Sequence, residues 1–343
     1  MRQRVLLLDP PFMDICKDII SSLKAMDYDV VWVADGSIPN NPYNKMSRNR
    51  HKRTIEEYQK EVNVFWNDAF KTEKFAKPFD FFLAIDGFMV TPELFERLIR
   101  QNPKIRKVLF LYDRVEGNYE LDMFFKYYDD VYSFEIHDCK HYGLHHLPIY
   151  WNPAANDEEV VYDISGMASF KWGSRYEMYK RLKTLARQNG LTECIKLYHR
   201  PIRNRFTYSA KYLTCKILGR NFLSLSDLKD DIFTFKILSP TAFRKNILQS
   251  KAVLDTHNNF QDGLTARFMW ALGCGRKIVT TNKSVVQYPF YDPAQIYLID
   301  DTNVDGVVDF IKAEYSMSQS MRQLIEPYRI DNWIRQMFKT ELC

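Results

Sequence analysis

Short apolar runs ending near an acidic residue recur along the first half of this chain, and amphipathic stretches separate them. Residues 4–8 lead into Asp9, 29–33 into Ala34 and Asp35, 79–85 into Asp86 and Gly87, and 107–112 into Asp113. Runs this short and this uniformly apolar are the pattern of strands buried on both faces of a parallel sheet. Between them, residues 15–26 and 54–75 carry apolar positions at helical spacing. The second stretch puts Ile55, Tyr58, Val62, Phe65, Trp66, Ala69 and Phe70 on one stripe. Thr91, Pro92 and Glu93 read as a helix start, with a capping hydroxyl, a proline at the first position and an acid in the first turn. Residues 119–128 predict a further helix and 131–134 a fifth strand. The alternation predicts a doubly wound, Rossmann-like domain over residues 1–152.

The same alternation resumes after Pro153 and the acidic turn Asp157-Glu158-Glu159. Residues 160–166 and 194–198 read as strands, with a helix over 175–189 between them that turns Tyr176, Tyr179, Leu182 and Leu185 inward. A strand over 233–238 and a helix over 242–249 follow. Strands at 252–254 and 277–280 then flank a helix carrying Leu264, Phe268, Ala271 and Leu272, which Gly273 and Gly275 should stop. Residues 296–299 close the sheet and 305–315 form another helix, so 153–327 predict a second Rossmann-like domain. The final stretch, 328–343, sets Ile330, Trp333, Ile334, Met337 and Phe338 at helical spacing. The fold class is α/β, with two doubly wound domains.

Such a fold places candidate chemistry at the carboxyl edges of its sheets. Gln261, Asp262, Gly263, Leu264 and Thr265 stand where strand 252–254 hands over to its helix. Gly263 permits close backbone approach there, and unpaired N–H groups at a helix start suit a phosphate. Arg175 lies in a helix first turn, where the dipole disfavours a cation unless an anion is near. Asp9, Asp86 and Asp113 end strands of the first domain. Aspartates in such places are ordinary turn formers, and they are also the candidates to take a proton, Asp86 first among them. The first strand is followed by Asp9-Pro10-Pro11-Phe12 rather than a G-x-G-x-x-G turn, which removes the main support for hydride transfer.

Composition narrows the classes. With 343 residues and a net charge of +5 spread along the chain, nothing announces a nucleic-acid protein. The six cysteines show no zinc or redox spacing, and the apolar run at the start is too short for a signal-peptide core, which together predict a cytoplasmic protein. His137, Cys139, His141, His145 and His146 tempt a metal reading, but their spacing fits no zinc motif, so no metal ligand is assigned. Two basic stretches allow peripheral contact with an anionic membrane at its inner face. One holds Lys45, Arg48, Arg50, Lys52 and Arg53; the other, residues 200–220, interleaves Arg200, Arg203, Arg205, Lys211, Lys216 and Arg220 with Phe206, Tyr208 and Tyr212. The bland readings are a solvated loop and an amphipathic helix.

Ser250-Lys251, Val253-Leu254-Asp255, Gln261, Gly263-Leu264-Thr265, Arg267, Lys277-Ile278 and Thr280-Thr281-Asn282 resemble the donor-binding element of GT-B glycosyltransferases, in particular the group that builds bacterial capsular and lipopolysaccharide sugars. Ser133-Phe134-Glu135, with Asp138, Lys140, Tyr142 and Gly143, resembles a second stretch of that group, which leads to its interdomain linker and carries no metal. The resemblance implies a metal-independent transferase with no cofactor, an acceptor domain over 1–152, a donor domain over 153–327, and a C-terminal helix crossing back onto the first. It implies a nucleotide-sugar donor and a cell-surface polysaccharide or lipid-linked glycan acceptor. The donor-binding residues it implies are Gly166 and Arg175 in one loop, His199 at a strand end, Gln261 to Thr265, and Arg267. Where relatives carry a pair of glutamates flanking seven residues, this chain has Asp262 and Trp270. An indole accepts no hydrogen bond from a ribose hydroxyl, so a donor-facing Trp270 would stack on a base or cover a sugar face; with the helix turned slightly, Trp270 is core and Asp262 alone would contact the ribose. A nucleotide-sugar epimerase and a catalytically weakened sugar-nucleotide-binding partner subunit are the alternatives.

Overall fold

Every apolar run that ends on an aspartate in the first half becomes a parallel strand. The computed structural model describes residues 2–11, 15–43, 53–117, 120–153, 158–171, 174–257, 261–300 and 302–340. By its contacts the chain divides into two units: Met1–Asn152, Asn259–Ala266 and Ile325–Cys343 make the first, Pro153–Asn258 and Arg267–Leu324 the second. Residues 259–266, read from sequence as part of the second domain, thus group with the first unit.

In the first unit the elements run β1 (Arg4–Asp9), α1 (Ile15–Ala25), β2 (Asp29–Ala34), α2 (Ile55–Ala69), β3 (Phe81–Ile85), α3 (Pro92–Gln101), β4 (Arg106–Leu111), β5 (Asp130–Ser133), α4 (Ile136–Tyr142) and β6 (His145–His146). The sheet order is β2-β1-β3-β4-β5-β6, all parallel. Alternate residues of each strand serve opposite faces. Leu6, Leu8, Phe82 and Ala84 join Tyr58, Val62, Trp66, Leu94 and Phe95 of α2 and α3 in one core. A capping box starts α2: Thr54 Oγ1 accepts the Glu57 N–H at 3.2 Å while the Glu57 carboxylate accepts the Thr54 N–H at 3.0 Å. The helix predicted over 54–75 stops at Ala69, because the Thr72 hydroxyl donates to the Ala69 carbonyl at 2.7 Å and takes the bond the next turn needs. Thr91 caps α3 through Leu94 N–H, as its sequence predicts.

The second unit runs β7 (Tyr162–Ser169), α5 (Ser174–Gln188), β8 (Glu193–Tyr198), α6 (Arg205–Ile217), β9 (Phe233–Thr234), α7 (Pro240–Leu248), β10 (Ser250–Asp255), α8 (Ala266–Gly273), β11 (Lys277–Thr280), β12 (Ile296–Leu298), α9 (Val307–Lys312) and α10 (Gln319–Ile325). Its parallel order is β12-β11-β10-β7-β8-β9. Ile164, Ile195, Leu197, Ala252, Leu254 and Val279 pack with Tyr176, Tyr179 and Leu182 of α5. The strand predicted over 233–238 shrinks to two residues, since Thr234 Oγ1 accepts the Lys236 N–H at 3.3 Å and turns the chain. Gly275, at φ +67°, stops α8: its N–H reaches Leu272 O at 2.9 Å and Arg276 N–H reaches Ala271 O at 3.0 Å.

The last helix, α11 (Ile330–Phe338), belongs to the first unit and covers the other face of its sheet. Phe338 stacks on Phe81 at 4.1 Å between ring centres, Trp333 meets Phe110 edge-on at 4.7 Å, and Trp333 Nε1 donates to Pro148 O at 3.0 Å. Both faces of the central strands β1, β3 and β4 are therefore buried, which is why those runs are apolar.

Candidate functional site

The winding of the second unit reverses between β7 and β10. Open α/β sheets take their ligands at such a reversal, beside the carboxyl ends of the two strands. Arg175 stands there. Its Nε donates to Thr256 Oγ1 at 3.1 Å, and its two terminal nitrogens reach Thr256 O at 3.3 Å and Ser169 O at 3.4 Å, so one guanidinium ties the ends of both strands. Arg267 Nη1 donates to Asp255 Oδ1 at 3.2 Å and to Leu254 O at 3.4 Å, while its Nε is buried without a hydrogen-bond partner. Among the described residues, the guanidiniums of Arg175 and Arg267 thus stand at this edge together with the Asp255 carboxylate. Burial works against the Arg175 cation and lowers its pKa, and the Arg267 charge adds to this. A multiply charged anion is the complement such a pair needs.

The sequence reading of Arg267 as a cation reserved for a ligand changes in one respect, since Asp255 already holds one arm of it. Gly166 is corrected more fully. It lies inside β7 rather than in a loop, and a Cβ there would stand 2.9 Å from Leu254 Cβ, so its glycine lets β7 and β10 pack. His199, just past β8, is half-buried among the rings of Phe170, Tyr208, Phe233 and Phe235. Thr280 Oγ1 donates to Asp255 Oδ2 at 3.3 Å and Asn282 Oδ1 accepts the Ser284 N–H at 3.0 Å, so these two motif residues build the edge.

Residues 261–265 carry the largest surprise. Their N–H groups were expected to await a phosphate. Instead the fully buried Glu135 carboxylate accepts from Asp262 N at 2.9 Å and from Gly263 N at 3.2 Å. Gly263 is required because a Cβ would meet Phe134 O at 2.6 Å. Asp262 is exposed and Leu264 fully buried, while Gln261 and Thr265 lie between these extremes. Glu135 carries no functional signal in the sequence beyond closing the Ser133-Phe134-Glu135 motif.

Of the two readings of Trp270, the structure favours the core one. It is 4% exposed, sits at 6.0 Å from the Phe243 ring and lies under the Arg244 guanidinium at 4.5 Å. The expectation of a base-stacking or sugar-covering indole is set aside, because α8 buries every residue from Phe268 to Leu272.

The first unit reverses its winding between β1 and β3, and Asp9 and Asp86 end or follow those strands. Asp9 is 1% exposed and its Oδ2 has no partner. Burial, with the charges of Asp86 and Asp35 added, pushes its pKa up to about 8. Asp86 reaches about 8 by burial and the Asp113 charge. Its backbone is left-handed at φ +60°, and its Oδ1 accepts the Tyr112 N–H at 2.8 Å. Asp35, also buried, reaches about 7 and is structural: it accepts from Gly36, Phe88 and Met89 N–H and so ties the β2 and β3 loops. Asp113 is exposed at the end of β4.

Folded-state pKa values near 7 to 8 against 3.8 unfolded fix the sign of a pH effect. Between those values the folded chain holds protons that the unfolded chain has lost, so the contribution of these three carboxyls to stability is greatest at low pH and falls as pH rises towards 8. Melting temperatures measured from pH 5 to 9 should decline. Asp9→Asn should flatten the decline by up to about 1.4 kcal/mol per pH unit. A wild-type profile that rises over this range would contradict these carboxyl environments.

Elsewhere, His145 Nε2 lies 2.9 Å from Asp130 Oδ1, and Lys339 and Arg106 also pair with the Asp130 carboxylate, Arg106 through Oδ2. Among the described residues no three His, Cys, Asp or Glu side chains gather as metal ligands. Of the basic loop, residues 44–52 lie outside the described residues, and Arg53 bonds Glu61 and Pro39 O. No helix among the described residues is long and apolar enough to cross a membrane.

No family model and no curated protein matches the chain. Solved structures do match. AviGT4, a glycosyltransferase involved in avilamycin A biosynthesis, aligns with a TM-score of 0.55 at 10% identity over 98% of this chain and 96% of that one. An α,α-trehalose 6-phosphate synthase from Burkholderia multivorans aligns with a TM-score of 0.52 at 12% identity over 98% and 97%. Identity at that level speaks to architecture. Two parallel six-stranded sheets, each wound by helices and matched over almost the whole of two such enzymes, give this chain the GT-B glycosyltransferase fold.

Proposed function

We propose that the chain is a glycosyltransferase that moves a sugar from a nucleotide-sugar donor to a hydroxyl of a glycan, either a cell-surface polysaccharide or a lipid-linked one. The observation that carries this is the placement of Arg175 and Arg267 at the winding reversal of the second unit. In the reaction the acceptor oxygen bonds to the anomeric carbon, and the bond from that carbon to the diphosphate oxygen breaks. The diphosphate leaves with the electron pair, and the acceptor proton passes to a carboxylate. Arg175 and Arg267 would neutralise the leaving diphosphate without a metal ion. Asp86, with Asp9 beside it in charge, would take the proton, and a carboxyl whose pKa is raised to about 8 is a stronger base than an ordinary aspartate. The likeness to AviGT4, itself a glycosyltransferase, supports the reaction class.

A thermal-shift panel of nucleoside diphosphates tests this reading. One of them, at 100 times its Kd, should stabilise the protein by about 2.7 kcal/mol, because it binds only the native state. Both that shift and subsequent turnover should survive EDTA. A panel without any shift, or turnover lost in EDTA and restored by magnesium, would point to a different chemistry.

A further inference from the structure

One helix of the second unit turns an apolar stripe to solvent. Helix α6 has no buried residue, although Asn204 caps it well by accepting from Phe206 N at 2.9 Å and Thr207 N at 3.2 Å. Its inward face is Tyr208, Tyr212 and Cys215, all half-buried. On the opposite face stand Phe206, Leu213 and Ile217, which are 82%, 57% and 84% exposed. Their spacing of seven and then four residues stacks them in one line along the helix, and Leu218, 58% exposed, follows at its end. Singly exposed apolar side chains are ordinary, whereas a line of them on one helix face marks a docking surface.

Charge identifies the occupant. Between Glu193 and Asp227 the chain has seven Lys or Arg residues and no acidic one. At 100° per residue, Arg205 and Lys216 lie along one side of the stripe, while Lys211 turns towards the inward face, its ammonium 5.2 Å from the Phe222 ring centre. Such an arrangement suits an interfacial helix, whose apolar line enters the acyl boundary while its cations reach lipid phosphates. A single-stranded nucleic acid would call for a row of stacking rings, but this stripe is aliphatic apart from Phe206. A second copy of the chain, meeting stripe to stripe, would bring the basic flanks together.

We propose that α6 docks the protein on a bilayer rich in anionic lipid, with Phe206, Leu213, Ile217 and Leu218 inserted and Arg205 and Lys216 on the headgroups. Vesicle binding is read without donor or acceptor, so this proposal and the transferase reading stand or fall separately. The test is co-sedimentation of the full chain with vesicles of phosphatidylglycerol and phosphatidylcholine, against vesicles of phosphatidylcholine alone. The protein should pellet with the anionic vesicles and release as salt rises. Phe206→Ser with Ile217→Ser should lower the partition coefficient at least about tenfold at unchanged melting temperature. Protein that stays in the supernatant with anionic vesicles overturns the proposal, as does a double variant that binds like wild type. Sedimentation velocity showing a dimer that the double variant splits would assign the stripe to a subunit interface and equally overturn it.

Discussion

Truncating Trp270 to alanine should lower the stability of the second unit by about 3–5 kcal/mol, while its affinity for a nucleoside diphosphate stays unchanged. The indole is enclosed by Phe243 and Arg244, and its neighbours Phe268, Met269, Ala271 and Leu272 are all buried, so little can collapse into the space it leaves. Its Nε1 has no hydrogen-bond partner, so Trp270→Phe forfeits contact area and no polar interaction, and should cost much less than the alanine. Thermal melts of both variants with matched nucleotide titrations separate the two roles. A Trp270→Ala protein that melts like wild type yet binds nucleotide weakly would return the side chain to the donor.

Asp86→Asn should reduce turnover by about 10²- to 10⁴-fold, the usual contribution of a positioned base. The substitution keeps most of the local structure, although the amide gives up one of the two backbone N–H bonds, from Tyr112 and Asp113, that the carboxyl accepts. Asparagine tolerates the left-handed backbone at φ +60°, and its side-chain oxygen can still accept the Tyr112 N–H. What it removes is the ability to hold the acceptor proton. Folding should therefore persist, with stability at pH 8 equal to or above wild type because a strained ionisation is gone. Turnover that survives in Asp86→Asn but collapses in Asp9→Asn would move the base to Asp9, whose Oδ2 is the carboxyl oxygen without a partner.

How far the sequence could be read depended on whether a feature was local. Strands such as β1, β4 and β11 were legible because burial on both faces leaves an uninterrupted apolar run, and α3 because Thr91 and Pro92 announce it. The winding reversals were not legible, since strand order is a matter of pairing across distant segments. Nor was the partner of residues 262 and 263, because Glu135 lies more than 120 residues away in sequence and only the fold brings them together. Gly166 misled for a related reason: its close neighbour, Leu254, sits on another strand. Trp270 misled because the resemblance fixes which position it occupies and leaves open which way α8 turns it. The exposed stripe of α6 was partly visible as basic and aromatic interleaving, but only burial shows that Tyr208 and Tyr212 face inward while Phe206 and Ile217 face out.

A donor diphosphate should bind where Arg175 bridges the ends of β7 and β10, and the whole functional reading rests on that contact. Titration calorimetry of wild type, Arg175→Lys and Arg175→Ala, with the nucleoside diphosphate that the thermal panel selects, tests it most directly. Loss of a charge-assisted contact should weaken binding by about 1.5–3 kcal/mol, roughly 10- to 150-fold, in Arg175→Ala. Arg175→Lys should fall between the two, because it keeps the charge and loses the fork that reaches Ser169 and Thr256. Equal affinity in all three proteins, each shown to be folded, would contradict the site.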